Sequence, residues 1–192
     1  MEESKFASRG GLKLQAALEN FSIAVNGKTI LDVGSSTGGF VDCLLKNGAI
    51  KVYALDTAYG ILDWNLRNDK RVVVMERTNI LYLKDFPEQV DLVTIDASWT
   101  KLEIILPIVK NFLQPEGRII ALLKPHYEAP ALTRRNGIVP LEMVEKVKES
   151  VINNIAKLGL KVEKIIDSPI LGGAGNKEFL LLISVVKNGQ RT

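Results

Sequence analysis

The sequence predicts an α/β fold built on a mostly parallel sheet of seven strands, the last of them antiparallel. Three observations predict it. Short apolar runs alternate with helix-period patterns along the chain, which is how βαβ units read. Residues 31–40, Leu-Asp-Val-Gly-Ser-Ser-Thr-Gly-Gly-Phe, carry an apolar run into a loop of small residues and then into helix-like sequence. The last two apolar runs are joined by Ser168 to Lys177, a Gly-rich link too short for a crossover helix, so the strands it joins must run antiparallel.

The elements follow in order. A helix is expected near 9–20, with Ser8 as its cap candidate and Leu14, Ala17, Leu18 and Phe21 spaced as one apolar face. The strand near 29–33 enters the small-residue loop, and a helix near 38–47 leaves it. Cys43 falls on the apolar side of that helix and reads as core. Strands near 51–55 and 71–75 flank a helix near 60–68. Strands near 90–95 and 118–123 flank one near 101–113. A long helix near 140–158 starts at Pro140, a good first-turn residue, and its pattern stops at Gly159. The closing strands are expected near 162–167 and 179–186. No repeat, low-complexity tract or linker divides the chain, so residues 1–192 read as one domain, with 1–28 as an N-terminal helical extension.

Composition narrows the function classes. A chain of 192 residues suits one domain with a sizeable core. Its 46% hydrophobic and 24% charged content is that of an ordinary globular protein. No apolar run approaches the roughly 20 residues of a membrane span, and Met-Glu-Glu-Ser-Lys at the start has no signal-peptide core. One cysteine excludes an internal disulfide and a cysteine metal cluster, and one histidine, His126, excludes a multi-histidine metal site. The expectation is a cytoplasmic protein with no metal and no membrane partner. The net charge of +3 is compatible with nucleic acid without arguing for it.

The candidate site gathers at one edge of the sheet. A strand, a small-residue turn and a helix start form a corner where backbone can approach a ligand closely. The loop is neither G-x-G-x-x-G nor a Gly-Lys-Ser/Thr phosphate loop. It resembles the first motif of S-adenosylmethionine-dependent methyltransferases, D-x-G-x-x-x-G-G-F. That makes Asp32, Gly34, Ser35, Ser36, Thr37, Gly38, Gly39 and Phe40 candidates for cofactor binding; the plainer reading is a tight βα turn with no ligand. Ligands of open α/β sheets sit beyond the carboxyl ends of the strands. Asp56 ends the second strand, where a carboxylate can accept from both hydroxyls of a ribose, or merely cap a helix before Gly60. Thr78 and Asn79 follow the third strand, as readers of an adenine edge or as a capped turn. Asp96 and Lys124 end adjacent central strands, as site residues or as a structural salt bridge. Glu178 opens the last strand on the same rim, or is a solvated strand end. Lys13, on the edge of the first helix, is by itself an ordinary solvated lysine.

Taken together, Ser8-Arg-Gly-Gly-Leu-Lys-Leu14, Leu31 to Phe40, Val52-Tyr-Ala-Leu-Asp56, Glu76-Arg-Thr-Asn79, Thr94-Ile-Asp-Ala-Ser98, Lys124-Pro-His-Tyr-Glu128 and Gly175-Asn-Lys-Glu-Phe-Leu180 resemble the TlyA family. Its members are ribosomal RNA ribose 2′-O-methyltransferases, often labelled hemolysins, within the FtsJ/RrmJ-like superfamily. The resemblance covers nearly the whole chain. It implies a Rossmann-like methyltransferase domain with strand order 3-2-1-4-5-7-6, S-adenosyl-L-methionine as cofactor, with Asp96 also among its contacts, and ribosomal RNA or ribosomal subunits as partner, methylated on the ribose of a cytidine. It also implies a Lys-Asp-Lys-Glu tetrad, which falls here on Lys13, Asp96, Lys124 and Glu178. Lys124 would then orient the 2′-oxygen and stabilise its developing charge, since neighbouring carboxylates favour charged lysine.

Three departures accompany the likeness. Family members carry an S4-type RNA-binding domain before the Arg-Gly-Gly segment, and this sequence opens seven residues before Ser8. The expectation is weak, salt-sensitive RNA binding that improves with a separate or fused S4-type domain. Ala97-Ser98-Trp99-Thr100-Lys101 stands where the family reads like Val-Ser-Phe-Ile-Ser, and His126-Tyr127 where it reads Gln-Phe. Trp99 and Tyr127 are therefore candidates to stack on an unpaired base, and Arg9, Arg134 and Arg135 to meet phosphates. Packing for Trp99 and a solvated loop for the arginine pair are the plainer readings. The competing functions are a cofactor-binding domain without RNA activity and a membrane-acting hemolysin. The second is opposed by the absence of a span or a long cationic amphipathic helix.

Overall fold

A computed structural model describes residues 5–130 and 137–186. Arg134 and Arg135 lie outside the described residues. The chain begins with α1 (Gly10–Phe21), followed by β1 (Thr29–Val33), α2 (Gly39–Lys46), β2 (Lys51–Leu55), α3 (Trp64–Arg67), β3 (Val72–Met75) and β4 (Val90–Ile95). Then come α4 (Leu102–Val109), β5 (Leu113–Leu123), α5 (Pro125–Glu128), α6 (Leu141–Lys157), β6 (Leu160–Asp167) and β7 (Phe179–Val185).

The seven strands form one sheet in the order β3-β2-β1-β4-β5-β7-β6. β1 to β5 pair in parallel, and β7 runs antiparallel to both of its neighbours. The antiparallel strand is the one expected from the short 168–177 link, and the order is the one the family resemblance implies. Alternate residues of each strand feed two cores. Leu31, Val33, Ile119 and Leu181 face α4 and α6, whereas Ile30, Val52, Ile120 and Leu182 face α1 and α2. Strands covered on both faces need apolar side chains at nearly every position, which is why they read as unbroken apolar runs.

Departures from the expected elements have local causes. Only Trp64–Arg67 of the expected 60–68 helix is helical. The carboxylate of Glu76 accepts the N–H groups of Gly60, Ile61 and Leu62 and so holds that stretch as a loop. The helix starts instead at Asp63, whose Oδ1 accepts from the Asn65 and Leu66 N–H groups. The expected 101–113 helix ends at Val109 and passes through a 3-10 turn, Lys110–Phe112, into β5. β5 starts five residues early because Leu113 already pairs with Val90; the register then shifts before Arg118 meets Leu92. Ser8 does not cap α1. Arg9 occupies that position without a side-chain bond, and the Ser8 hydroxyl packs against Gly39 at the start of α2. Cys43 is core, as expected: burial pushes its thiol up to about 12, so it is inert at neutral pH.

Candidate active site

The carboxyl ends of β1, β2, β4 and β5 and the start of β7 share one rim, and two clefts open there. The first, about 420 Å³, is lined by residues that include Gly34, Ser36, Asp56, Asn79, Asp96 and Trp99. The second, about 270 Å³, lies between the start of α1 and the 170–173 loop, with Arg9, Lys13, Ser35 and Thr37 in its wall. The two share Gly34, Ser36 and Asp96.

The corner after β1 is shaped by close backbone approach. Gly34 has φ +86°, and a methyl group on it would stand 2.9 Å from the Asp96 carbonyl oxygen, so this position requires glycine. Gly38, also at positive φ, would drive a side chain into Leu66. Asp56 ties the corner to β2: its Oδ2 accepts the Ser36 N–H at 2.8 Å and its Oδ1 the Ala58 N–H at 2.8 Å. A carboxylate has about four acceptor positions, so capacity remains toward the cleft. Asn79 caps a 3-10 turn through Oδ1 and leaves its amide nitrogen for the cleft it lines. Thr78 lines neither cleft; its hydroxyl donates to the Glu76 carbonyl oxygen.

Asp32 lies beneath this corner with no exposure and lines neither cleft. The Thr94 hydroxyl donates to its Oδ1 at 2.5 Å, and its Oδ2 has no partner. Burial pushes its carboxyl up to about 7; the Thr94 bond pulls the other way, and Asp96 and Asp56 add to the rise.

The four tetrad candidates come together as two ion pairs. Lys13 Nζ lies 2.5 Å from Glu178 Oε2, both side chains buried. Lys124 Nζ lies 2.7 Å from Asp96 Oδ1, and 3.3 Å from the carbonyl oxygens of Asp96 and Ala97 and from Ser98 Oγ. Helix α1 joins the pairs. Gly10, one turn before Lys13, lies beside Asp96: a methyl group there would make an ordinary contact, 3.7 Å from Oδ2. Residues 13 and 178 are 165 positions apart and meet because β7 returns antiparallel to the rim.

Trp99 is 83% exposed and has φ +68°, a rare conformation for a bulky side chain. Its ring lies 5.0 Å from that of Tyr127, and the Lys124 ammonium lies 5.7 Å from the Tyr127 centroid. The buried His126 ring packs on Tyr127 at 4.2 Å. Two contributors were not singled out from the sequence. The Arg67 guanidinium, with the N–H groups of Gly60 and Leu62, holds the Glu76 carboxyl down at about 2, so Glu76 stays charged and keeps the loop beside the first cleft in place. Asn176, only 3% exposed, organises the 170–173 loop. An acidic residue just past a strand end was the signal for Glu76; Asn176 falls in the Gly175–Leu180 stretch of the family resemblance, but nothing in that stretch marks its bonds to distant backbone. Among the described residues, no group of three or more His, Cys, Asp or Glu is placed to hold a metal ion, and no helix is long and apolar enough to cross a membrane.

This sheet order, with a small-residue corner, an acidic end to β2 and charged residues massed on one rim, defines an α/β fold of the methyltransferase kind. The chain belongs to the FtsJ-like methyltransferase family, whose model matches residues 6–184. It is 44% identical over 191 residues to YqxC of Bacillus subtilis (strain 168), provisionally named an rRNA methyltransferase, covering 97% of this chain and 68% of that one. It is 40% identical over 185 residues to the 16S/23S rRNA (cytidine-2′-O)-methyltransferase TlyA of Mycobacterium tuberculosis (strain ATCC 25618 / H37Rv), covering 93% of this chain and 68% of that one. A crystal structure from Lactococcus lactis, of a protein with a provisional hemolysin name, superposes with a TM-score of 0.89 at 43% identity, covering 94% of this chain and 89% of that one.

Proposed function

We propose that this chain is an S-adenosylmethionine-dependent RNA methyltransferase acting on the 2′-hydroxyl of a ribose, that of a cytidine in ribosomal RNA. The observation that carries the reading is a pair of Lys–carboxylate contacts at the rim, Lys13–Glu178 buried and Lys124–Asp96 partly buried, with Lys13 and Asp96 lining one cleft and Asp96 shared with the other. The relatives named as rRNA methyltransferases support the choice of RNA and of ribose.

The residues present fit the cofactor. Asp56 stands at the cleft with acceptor capacity for two ribose hydroxyls, Asn79 offers an amide nitrogen for an adenine edge, and Gly34 to Ser36 let backbone approach closely. S-adenosylmethionine supplies an electrophilic methyl group on a sulfonium. The chain's own work is to hold the acceptor oxygen near 3 Å from that carbon and in line with the departing sulfur. Lys124 serves as a fixed cation: its nitrogen is surrounded by oxygens, an arrangement that suits an ammonium, which only donates. It orients the 2′-oxygen and stabilises the negative charge growing on it, while the hydroxyl proton passes to water in the open cleft. The second cleft is then the acceptor cleft, and Lys13, held by Glu178, adds a second cation on its wall. Trp99 and Tyr127 offer ring faces on which an unpaired base can stack beside Lys124, and Arg9 on the outer wall can meet a phosphate.

The deciding experiment incubates the chain with labelled cofactor and ribosomal subunits or RNA, followed by nuclease digestion and mass spectrometry. A 2′-O-methylcytidine appearing only with active chain supports the reading; methyl transfer to a base or to protein overturns it. For cofactor binding, Asp56→Ala is expected to lower affinity about a hundredfold, since bonds to a charged acceptor are each worth about 1.5–3 kcal/mol. The same change frees the Ser36 N–H that shapes the corner. Unchanged affinity in titration calorimetry would remove Asp56 from the cofactor site.

A further inference from the structure

The wall of the acceptor cleft opposite α1 is a loop whose shape depends on one buried amide. Asn176 Oδ1 accepts the Val139 N–H at 3.2 Å, and its Nδ2 donates to the carbonyl oxygens of Gly137 (3.1 Å) and Gly173 (3.0 Å). One side chain thus fastens the loop to the residues that precede α6. Its backbone closes the same loop: the Gly172 N–H donates to the Asn176 carbonyl oxygen at 2.9 Å, and the Asn176 N–H to that of Gly173 at 3.2 Å. Gly172 is thereby pressed onto the Glu178 carboxylate, which occupies the space a side chain at 172 would need. The backbone there, φ −74° and ψ −170°, is one that any residue adopts, so contact with Glu178, not conformation, demands glycine at this position.

Glu178 is 2% exposed and does not itself line the cleft, whereas its ion-pair partner Lys13 does. Its rotamer is confined between Gly172 above and the Lys13 ammonium beside it. We propose that Asn176 is a positioning residue for methyl transfer: by holding Gly172 against Glu178 it fixes the carboxylate that fixes Lys13 in the acceptor cleft. The proposal rests on the methyltransferase reading for its kinetic consequence, but its structural consequence can be observed without any turnover.

The test follows the Lys13 side-chain ammonium by NMR in a full-length chain with 15N-labelled lysine, the signal assigned by its loss in Lys13→Arg. In the unaltered chain a buried, paired ammonium exchanges slowly with water. Asn176→Ala and Gly172→Ala are each expected to speed that exchange and to lower kcat about tenfold, with the cofactor Kd within about twofold, because a misplaced group costs rate more than binding. Gly172→Ala serves where Asn176→Ala folds poorly, since alanine suits the backbone. It is expected to lower Tm by about 3 °C in the unaltered chain and to cost nothing in a Glu178→Ala background, where the colliding carboxylate is gone. An unchanged Lys13 signal in both variants overturns the proposal, and so does an equal Tm loss with and without Glu178. If the Lys13 signal responds as stated but the unaltered chain transfers no methyl group to ribosomal RNA, the positioning role stands and the methyltransferase reading falls.

Discussion

Lys124→Met is expected to lower methyl transfer about a thousandfold while leaving cofactor affinity within a fewfold, the size of effect seen when a fixed donor aimed at developing charge is removed. Methionine keeps the length and much of the apolar stem of lysine and deletes the ammonium. The nitrogen lies 2.7 Å from Asp96 Oδ1 and 3.3 Å from three further oxygens, so its position is set by the ends of β4 and β5 and not by a ligand. A donor already in place costs no reorganisation when charge grows on the acceptor oxygen. Lys124→Arg should recover little, because a planar fork cannot occupy a site shaped for a compact ammonium. The loss should fall on kcat, since the interaction strengthens only as the hydroxyl loses its proton. Single-turnover kinetics on ribosomal subunits gives the rate directly. More than about a tenth of the activity retained by Lys124→Met would show that this ammonium does not act in the reaction.

The strands and the small-residue corner after β1 were legible in the sequence because their determinants are local. Phe179–Val185 is apolar at every position but Ser184, and Val90–Ile95 at four of six, since both faces of the sheet are covered. The antiparallel last strand followed from the shortness of the 168–177 link. Helix limits were less legible where a distant residue decides them. Glu76 takes the N–H groups of residues 60–62 from across a turn, and no pattern within 60–68 announces it. The four-residue α5, started by Pro125 just past a strand end, was too short to show periodicity. The Lys124–Asp96 pair was visible as two charges ending neighbouring strands. Lys13 and Glu178 are a different case: nothing local pairs two residues 165 positions apart, and only the family resemblance suggested that they belong together. Asn176 lies deeper still, because its bonds are to backbone groups of segments whose juxtaposition exists only in the folded chain.

Asp32→Asn is expected to make the protein more stable at pH 8, by an amount that grows from near zero at about pH 4. The folded carboxyl sits at about 7, because burial without exposure outweighs the Thr94 hydrogen bond, whereas an unfolded aspartate titrates near 3.9. Between those values the unfolded chain gives up a proton that the folded chain keeps. Rising pH therefore favours unfolding through this window, and the stability present below about pH 4 is lost by the time the pH passes about 7. Asparagine has the same shape, accepts the Thr94 hydroxyl proton equally well through Oδ1, and carries no charge to bury. The full difference approaches about 4 kcal/mol at pH 8, as an order of magnitude. Urea unfolding of both proteins at pH 4.5, 6 and 8 should show curves that separate as pH rises. A constant gap, or a wild-type chain more stable at pH 8, would mean that Asp32 ionises freely where it lies. A growing gap would locate a stability cost directly beneath Gly34–Ser36, at the junction of the two clefts. Natural chains carry such costs where a site needs a group that the core would rather lack, which is the pattern expected if this corner serves ligand binding before it serves folding.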